Sequence, residues 1–173
     1  AVSLRPRQWV KNLFVFAGLV FSQRLFTPSV WPALGAFAIF CALSGAIYLF
    51  NDVADREKDR LHPRKRERPV ASGLLPVPAA LASGAVLILG GVVAAAWLSP
   101  RFGLTAIAYV VLLTAYSAWL KHVVIVDVLA VASGFVLRAV GGALVIDVEI
   151  SGWLLICTIL VALFLALGKR RHE

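Results

Sequence analysis

Residues 30–59 read VWPALGAFAIFCALSGAIYLFNDVADREKD, and this passage determines what kind of protein the chain can be. Its first 21 residues carry no charge, and a helix needs about 20 mainly apolar residues to cross a bilayer. The nine residues that follow contain four acids. The passage therefore predicts a transmembrane helix whose end leads directly into a concentration of acidic side chains.

The composition of the whole chain agrees with a membrane protein. Of 173 residues, 61% are hydrophobic and 15% are charged, whereas about a quarter of the residues in soluble domains are charged. The chain is too apolar to be disordered, and its two cysteines lie within apolar runs, where we expect small buried hydrophobes. The net charge of +8 leaves nucleic acid, anionic lipid or a phosphorylated substrate as partners.

Apolar runs recur along the chain. We expect an all-α fold, a polytopic bundle of six transmembrane helices. The weakest run, residues 13–22, is short, but the residues that flank it can extend it across the bilayer by snorkelling. The five clear runs are residues 30–50, 77–98, 102–120, 123–145 and 150–168.

The positions of Lys and Arg predict the orientation of this bundle. With both chain ends in the cytoplasm, 14 of the 17 basic residues lie on the cytoplasmic side, as the positive-inside rule requires. Arg24 and Arg101 then lie outside, and Arg138 lies within a span. Because basic residues beside spans primarily set topology, we expect no nucleic-acid partner. The expected location is the plasma (inner) membrane, with the polar chemistry on the cytoplasmic face.

The acids that follow residue 50 have helical spacing. If the second helix continues past the bilayer, Asn51, Asp52, Asp55 and Asp59 share one face at 100° per residue. Carboxylate and amide oxygens are hard ligands that hold magnesium together with a substrate's phosphates. The spacing therefore favours a metal and phosphate site.

A solvated, salt-bridged loop that only marks the cytoplasmic side is the alternative interpretation. Residues 52–68 contain 12 of the 26 charged residues, five of them acidic. Asp and Glu contribute little to orientation, so a topology signal does not require them. The acids thus weigh against a loop that serves topology alone.

The segment NDVADREKD, residues 51–59, is similar to the NDxxDxxxD motif of the UbiA-type intramembrane prenyltransferase superfamily, whose members handle isoprenoid phosphates with magnesium. That superfamily has nine transmembrane helices. The resemblance therefore implies that residues 1–173 form a single transmembrane domain, the N-terminal part of a longer UbiA-like bundle, with 51–76 as its cytoplasmic catalytic loop. Four blocks resemble the branch that acts on polyprenyl phosphate: residues 5–12, 48–73, 120–142 and 168–173.

For this branch, the resemblance implies transfer of 5-phosphoribose from phosphoribosyl pyrophosphate to a polyprenyl (decaprenyl) phosphate, with release of pyrophosphate. This magnesium-dependent reaction is an early step toward cell-wall arabinan precursors. Two alternatives stay open. One is a prenyltransferase that joins an allylic diphosphate to an aromatic or other acceptor, and the other is a non-catalytic membrane module or transporter. Association into a homo-oligomer is also left open.

The resemblance also implies roles for individual residues. Asn51, Asp52, Asp55 and Asp59 would hold magnesium, and the three aspartates are the predicted catalytic residues. The basic end of the chain replaces a second aspartate-rich motif, which suits an anionic partner. The predicted substrate-binding residues are Arg7, Lys11, Asn51, Arg60, Lys65, Arg68, Tyr116, Lys121, Lys169, Arg170 and Glu173.

Two ionisable residues lie within the fifth predicted span, where charge is expensive and indicates function. Asp127 lies near the cytoplasmic end and could face the site. For Arg138, a structural tie between helices and a functional role are both open.

Overall fold

The apolar runs of the sequence form helices, and the part of the chain that a computed structural model describes, residues 2–119 and 124–171, contains no strand. Three segments form 3-10 helices, at Val2–Leu4, Pro6–Phe16 and Lys65–Glu67. We call Pro6–Phe16 the N-terminal 3-10 helix. The α-helices, in chain order, are α1 (Ala17–Phe21), α2 (Val30–Ala54), α3 (Arg56–Leu61), α4 (Val77–Leu98), α5 (Pro100–Ala118), α6 (Val124–Val145) and α7 (Gly152–Arg171).

The predicted all-helical transmembrane bundle is confirmed. Each of the five clear apolar runs coincides with one long helix. In chain order these helices are α2, α4, α5, α6 and α7. Among the described residues, α2, α4, α5 and the Val126–Val145 portion of α6 are long and apolar enough to cross a membrane. Helix α7 contributes a shorter apolar segment, Gly152–Leu165.

The first predicted run, residues 13–22, differs from a regular transmembrane helix. It lies partly in the N-terminal 3-10 helix and becomes α-helical only in α1. A 3-10 helix rises about 2.0 Å per residue, against about 1.5 Å in an α-helix. The 16 residues of the N-terminal 3-10 helix and α1 together therefore cover about 30 Å. That path includes Arg7 and Lys11, so the apolar run itself covers only part of the hydrocarbon core.

A glycine allows the N-terminal 3-10 helix to lie directly against α6. At Gly142, an added Cβ would overlap the backbone carbonyl of Val15. One turn further along, a Cβ on Gly18 would lie 2.9 Å from the Cα of Ala143. The atoms that would clash are the carbonyl oxygen of Val15 and the Cα of Ala143, and both belong to the backbone. A side-chain rotation therefore cannot relieve either clash. The N-terminal 3-10 helix and α1 therefore both approach α6 at backbone distance.

Three aromatic residues of α2 and α5 have the largest fully buried side chains of the core. The rings of Phe40 and Tyr109 lie 5.0 Å apart, edge to face, and Phe102 packs on Phe40 at 5.6 Å. All three side chains are fully buried, and such aromatic pairs contribute about 0.5–1.5 kcal/mol beyond their buried area. This core fixes the middle of α2 against α5, about 18 Å along the helix from Asp52.

A small apolar cluster holds the charged loop after α3 against the bundle. Val70 is buried with Leu49 of α2 and Ala80 of α4. Because this loop is anchored at Val70, the residues just before it are brought back to the end of α2. The polar site described next depends on this return.

Candidate active site

Helix α3 continues the direction of α2 with only a local break at Asp55. The backbone N–H of Asp55 donates to the Asn51 carbonyl at 2.9 Å, and that of Asp59 donates to the Asp55 carbonyl at 2.8 Å. The helical spacing expected from the sequence is thereby kept. Asp52 and Asp59 face the bundle, with only 2% and 3% of their surface exposed.

One arginine joins these two buried carboxylates. The Nη1 of Arg68 donates to Oδ1 of Asp52 at 3.2 Å and to Oδ2 of Asp59 at 2.6 Å. Both carboxylates therefore converge on a single cationic nitrogen. The Arg68 side chain is 27% exposed. The two ion pairs that it forms therefore lie at the edge of the bundle, within reach of solvent.

A second arginine reaches Asp52 from the N-terminal segment. Nη2 of Arg5 forms an ion pair with Oδ1 of Asp52, and the guanidinium lies 4.7 Å from the centre of the Tyr48 ring. Arg5 adopts a left-handed backbone conformation, with φ of 49°, at the start of the N-terminal 3-10 helix. Two arginines thus balance the charge of two buried carboxylates.

A cavity of about 300 Å³ opens beside these ion pairs, between the N-terminal 3-10 helix and helices α2, α5 and α6. Three of its lining residues are cations, and none of the described residues that line it carries a carboxylate. The cavity wall therefore contains cations and lies next to a pair of acids. Its main polar lining residues are Arg5, Gln8, Lys11, Asn51, Tyr116 and Arg138.

The structure brings some of the predicted site residues together. Asp52, Asp59 and Arg68 form the ion-pair cluster. Lys11, Asn51 and Tyr116 line the cavity beside it, and the Tyr116 hydroxyl donates to Oδ1 of Asp127 at 2.7 Å.

Other predicted residues lie elsewhere. Asp55 is half-buried at the break between α2 and α3 and takes no part in the ion pairs of the described residues. Arg60 donates to the Ala71 carbonyl at 3.1 Å and so braces the loop. Arg7 and Lys65 are exposed. Lys121, Glu173 and the side chains of Lys169 and Arg170 lie outside the described residues.

Arg5, Gln8 and Tyr48 are among the cavity-lining residues that sequence reasoning missed. Arg5 and Gln8 belong to the first block that carries the family resemblance, which was the available signal. Tyr48 lies one helical turn before Asp52, on the same side of α2. Arg138 was noted only as an ionisable residue within a span, and the structure places it in the cavity wall.

The donor set fits a magnesium ion that is bound together with a substrate. Among the described residues, no three His, Cys, Asp or Glu side chains form a group able to hold a metal alone. Two buried carboxylates that already converge on one cation, with the Asn51 amide on the same helix end, match the usual mode for Mg²⁺. That mode uses one or two carboxylates plus substrate phosphates.

Comparison with known proteins places this chain in a family. The model of the UbiA prenyltransferase family matches residues 12–170. The decaprenyl-phosphate phosphoribosyltransferase of Mycolicibacterium smegmatis is 35% identical over 99% of this chain and 55% of its own length. The enzyme of the same name from Corynebacterium glutamicum is 37% identical over 99% of this chain and 53% of its own length.

A solved structure shares the fold. A UbiA homolog from Archaeoglobus fulgidus, determined with DMAPP and Mg²⁺, has a TM-score of 0.79 at 22% identity and covers 92% of this chain and 58% of its own. The chain spans about half the length of the curated relatives that it matches. From the family model and the membrane-length helices together, we conclude that this chain is a multi-pass membrane protein of the UbiA prenyltransferase family.

Proposed function

We propose that this chain carries the donor-binding part of a magnesium-dependent transferase, which moves 5-phosphoribose from phosphoribosyl pyrophosphate to a polyprenyl phosphate and releases pyrophosphate. The relatives that match 99% of the chain are named for the decaprenyl-phosphate reaction. The observation that carries the proposal is a cavity walled by three cations beside a pair of buried carboxylates. Such a cavity suits two anionic substrates.

The reaction separates charge at the anomeric carbon of the ribose. The side chains that would hold magnesium and, with it, the pyrophosphate are those of Asn51, Asp52, Asp55 and Asp59. The two buried carboxylates, Asp52 and Asp59, would be the main ligands. When bound, magnesium supplies the positive charge that stabilises pyrophosphate as it departs. Arg68 lies beside both carboxylates, so it could turn to the diphosphate oxygens without leaving the site. The lipid phosphate is already an anion and needs no strong general base to attack.

The remaining predicted substrate contacts are proposed with different support. Lys11 and Tyr116 are favoured by their place in the cavity wall. The support for the others is family resemblance alone: Arg7, Arg60, Lys65, Lys121, Lys169, Arg170 and Glu173. We also propose that the protein resides in the plasma membrane with this site on the cytoplasmic face, because 14 of its 17 basic residues then lie inside.

A second candidate function is prenyl transfer from an allylic diphosphate to an aromatic acceptor. It is favoured by the A. fulgidus homolog, whose structures contain DMAPP or GPP with Mg²⁺. The cation-lined cavity weighs against a neutral acceptor. A purely structural membrane module is disfavoured because burying two carboxylates in ion pairs seldom adds stability.

The experiment is an assay of the complete polypeptide in proteoliposomes. Labelled phosphoribosyl pyrophosphate and polyprenyl phosphate should give lipid-linked phosphoribose with magnesium and none with EDTA. Asp59→Asn should lower turnover about 100-fold or more, the scale of losing one preorganised charge contact in an active site. Glu57→Gln is the matched control, because Glu57 lies on the same short helix with its side chain 76% exposed.

Two outcomes would contradict the proposal. One is product formation from dimethylallyl diphosphate and an aromatic acceptor, with none from phosphoribosyl pyrophosphate. The other is Asp59→Asn turnover equal to that of the Glu57→Gln control.

A further inference from the structure

On the basis of the function proposed above, we infer that Arg138 binds a phosphate monoester of a substrate at the inner end of the cavity, apart from the diphosphate at the carboxylate pair. Arg138 lies on α6 within a membrane-length segment and is 7% exposed. It also lines the cavity. A cation at this depth is costly unless its charge is compensated.

The residues that the structure describes do not supply that compensation. Arg138 donates from Nε to Oδ1 of Asn12 at 2.7 Å, from Nη1 to the Gly134 carbonyl at 2.8 Å and from Nη2 to the Tyr109 hydroxyl at 2.6 Å. All three acceptors are neutral. Within residues 2–119 and 124–171, no carboxylate forms an ion pair with Arg138.

These bonds orient the guanidinium while leaving part of it available. A guanidinium has five N–H donors, and the three bonds use one on each nitrogen. One N–H on Nη1 and one on Nη2 therefore have no acceptor in the part of the chain that the structure describes. Two neighbouring N–H groups on one planar cation form the fork that binds a phosphate or carboxylate in bidentate fashion.

Aromatic contacts hold the same orientation. The guanidinium carbon lies 4.8 Å from the centre of the Tyr109 ring and 5.3 Å from that of Phe135. Tyr109 is itself fully buried against Phe40 in the core. Arg138 is thus preorganised, so little side-chain entropy is lost when an anion binds.

The inner position is distinct from the carboxylate pair. Asn12, which contacts Arg138, also donates to Ser44 of α2 at 3.3 Å. Ser44 precedes Asp52 by eight residues, which is about 12 Å along the helix. Among the described residues, Arg138 forms no bond with either carboxylate or with the arginines that pair with them, so Arg138 would take a phosphate other than the diphosphate at the carboxylate pair. The candidates are the 5-phosphate of the donor and the phosphate of the lipid acceptor.

The test measures binding and requires no turnover. The complete polypeptide in nanodiscs is titrated with farnesyl phosphate, ribose 5-phosphate, farnesol and magnesium pyrophosphate. Arg138→Gln should weaken one of the two monophosphates about tenfold or more, the usual loss of a charge-assisted bidentate contact. Binding of farnesol and pyrophosphate should stay unchanged. Loss for farnesyl phosphate identifies the acceptor phosphate, and loss for ribose 5-phosphate identifies the donor phosphate.

Arg101→Gln is the matched control, because Arg101 is exposed at the start of α5. It lies twelve residues before Leu113, the first cavity-lining residue of α5, which is about 18 Å along the helix. Equal monophosphate affinities in Arg138→Gln and the control would overturn the inference, as would a parallel loss for all four probes. If Arg138→Gln fails to fold, Arg138→Lys keeps the charge but loses the fork. It should weaken the same monophosphate measurably, and unchanged affinity there would also overturn the inference.

The binding result separates this inference from the proposed function. Arg138-dependent monophosphate binding without phosphoribose transfer would retain the inner site and reject the function. Transfer activity with Arg138-independent binding would do the reverse.

Discussion

Replacing Arg68 by methionine would leave the buried carboxylates of Asp52 and Asp59 without the cation that they share. Truncating one partner of a buried ion pair costs about 3–5 kcal/mol. The Arg68 side chain is 27% exposed and Asp52 keeps its ion pair with Arg5, so we expect a smaller loss, about 2 kcal/mol. For a protein of this size, that loss lowers the unfolding midpoint by about 4–8 °C.

Magnesium should restore much of this loss. With the arginine removed, the two carboxylates face each other without a cation between them, and a divalent ion relieves their repulsion directly. Added Mg²⁺ should therefore raise the unfolding midpoint of Arg68→Met more than that of the unmodified protein. The measurement is thermal unfolding followed by tryptophan fluorescence, with calcium and sodium as ionic controls.

Arg64→Met provides the matched control, because Arg64 lies in the same loop and is exposed. Its midpoint should move by little, as surface substitutions usually change stability within about 0.5 kcal/mol. The reasoning is refuted if Arg68→Met is no less stable than Arg64→Met, or if Mg²⁺ stabilises both variants equally.

Three further predictions concern packing and the cavity wall. Gly142→Ala should strongly reduce the amount of folded protein in detergent, because its Cβ would overlap a backbone carbonyl, whereas Gly90→Ala, with no neighbour within 4 Å, should not; equal yields would contradict this. Phe40→Ala should lower the free energy of unfolding by about 3–5 kcal/mol, because the ring is fully buried, and a loss under 1 kcal/mol in a denaturation series would argue against the aromatic core. Tyr116→Phe removes the bond to Asp127 and should reduce phosphoribose transfer several-fold in the proteoliposome assay, with unchanged turnover as the contrary result.

The helical elements of the site could be predicted from sequence, since they depend on local periodicity. Asp52 and Asp59 are seven residues apart, which is close to two helical turns, so any continuation of α2 places them on one side. The long apolar runs likewise have few alternatives in a bilayer, where backbone polar groups must be satisfied within each segment. Neither inference needs knowledge of a distant part of the chain.

The partners of these carboxylates could not be predicted, because tertiary packing determines them. Arg68 returns to Asp52 only because Val70 is buried against α2 and α4. Arg5 reaches the same carboxylate through a left-handed backbone conformation that non-glycine residues rarely adopt. The contact of Arg138 with Asn12 joins residues 126 positions apart, and no periodicity connects them.

That last contact has a consequence for biosynthesis. At about 5–20 residues per second, a ribosome needs about 6–25 s to travel from residue 12 to residue 138. In that interval the Asn12 amide can be accommodated by Cys41 and Ser44, to which it donates at 3.2 and 3.3 Å. The N-terminal segment would therefore pair first with α2 as the two emerge into the membrane, and the arrival of α6 would complete the assembly.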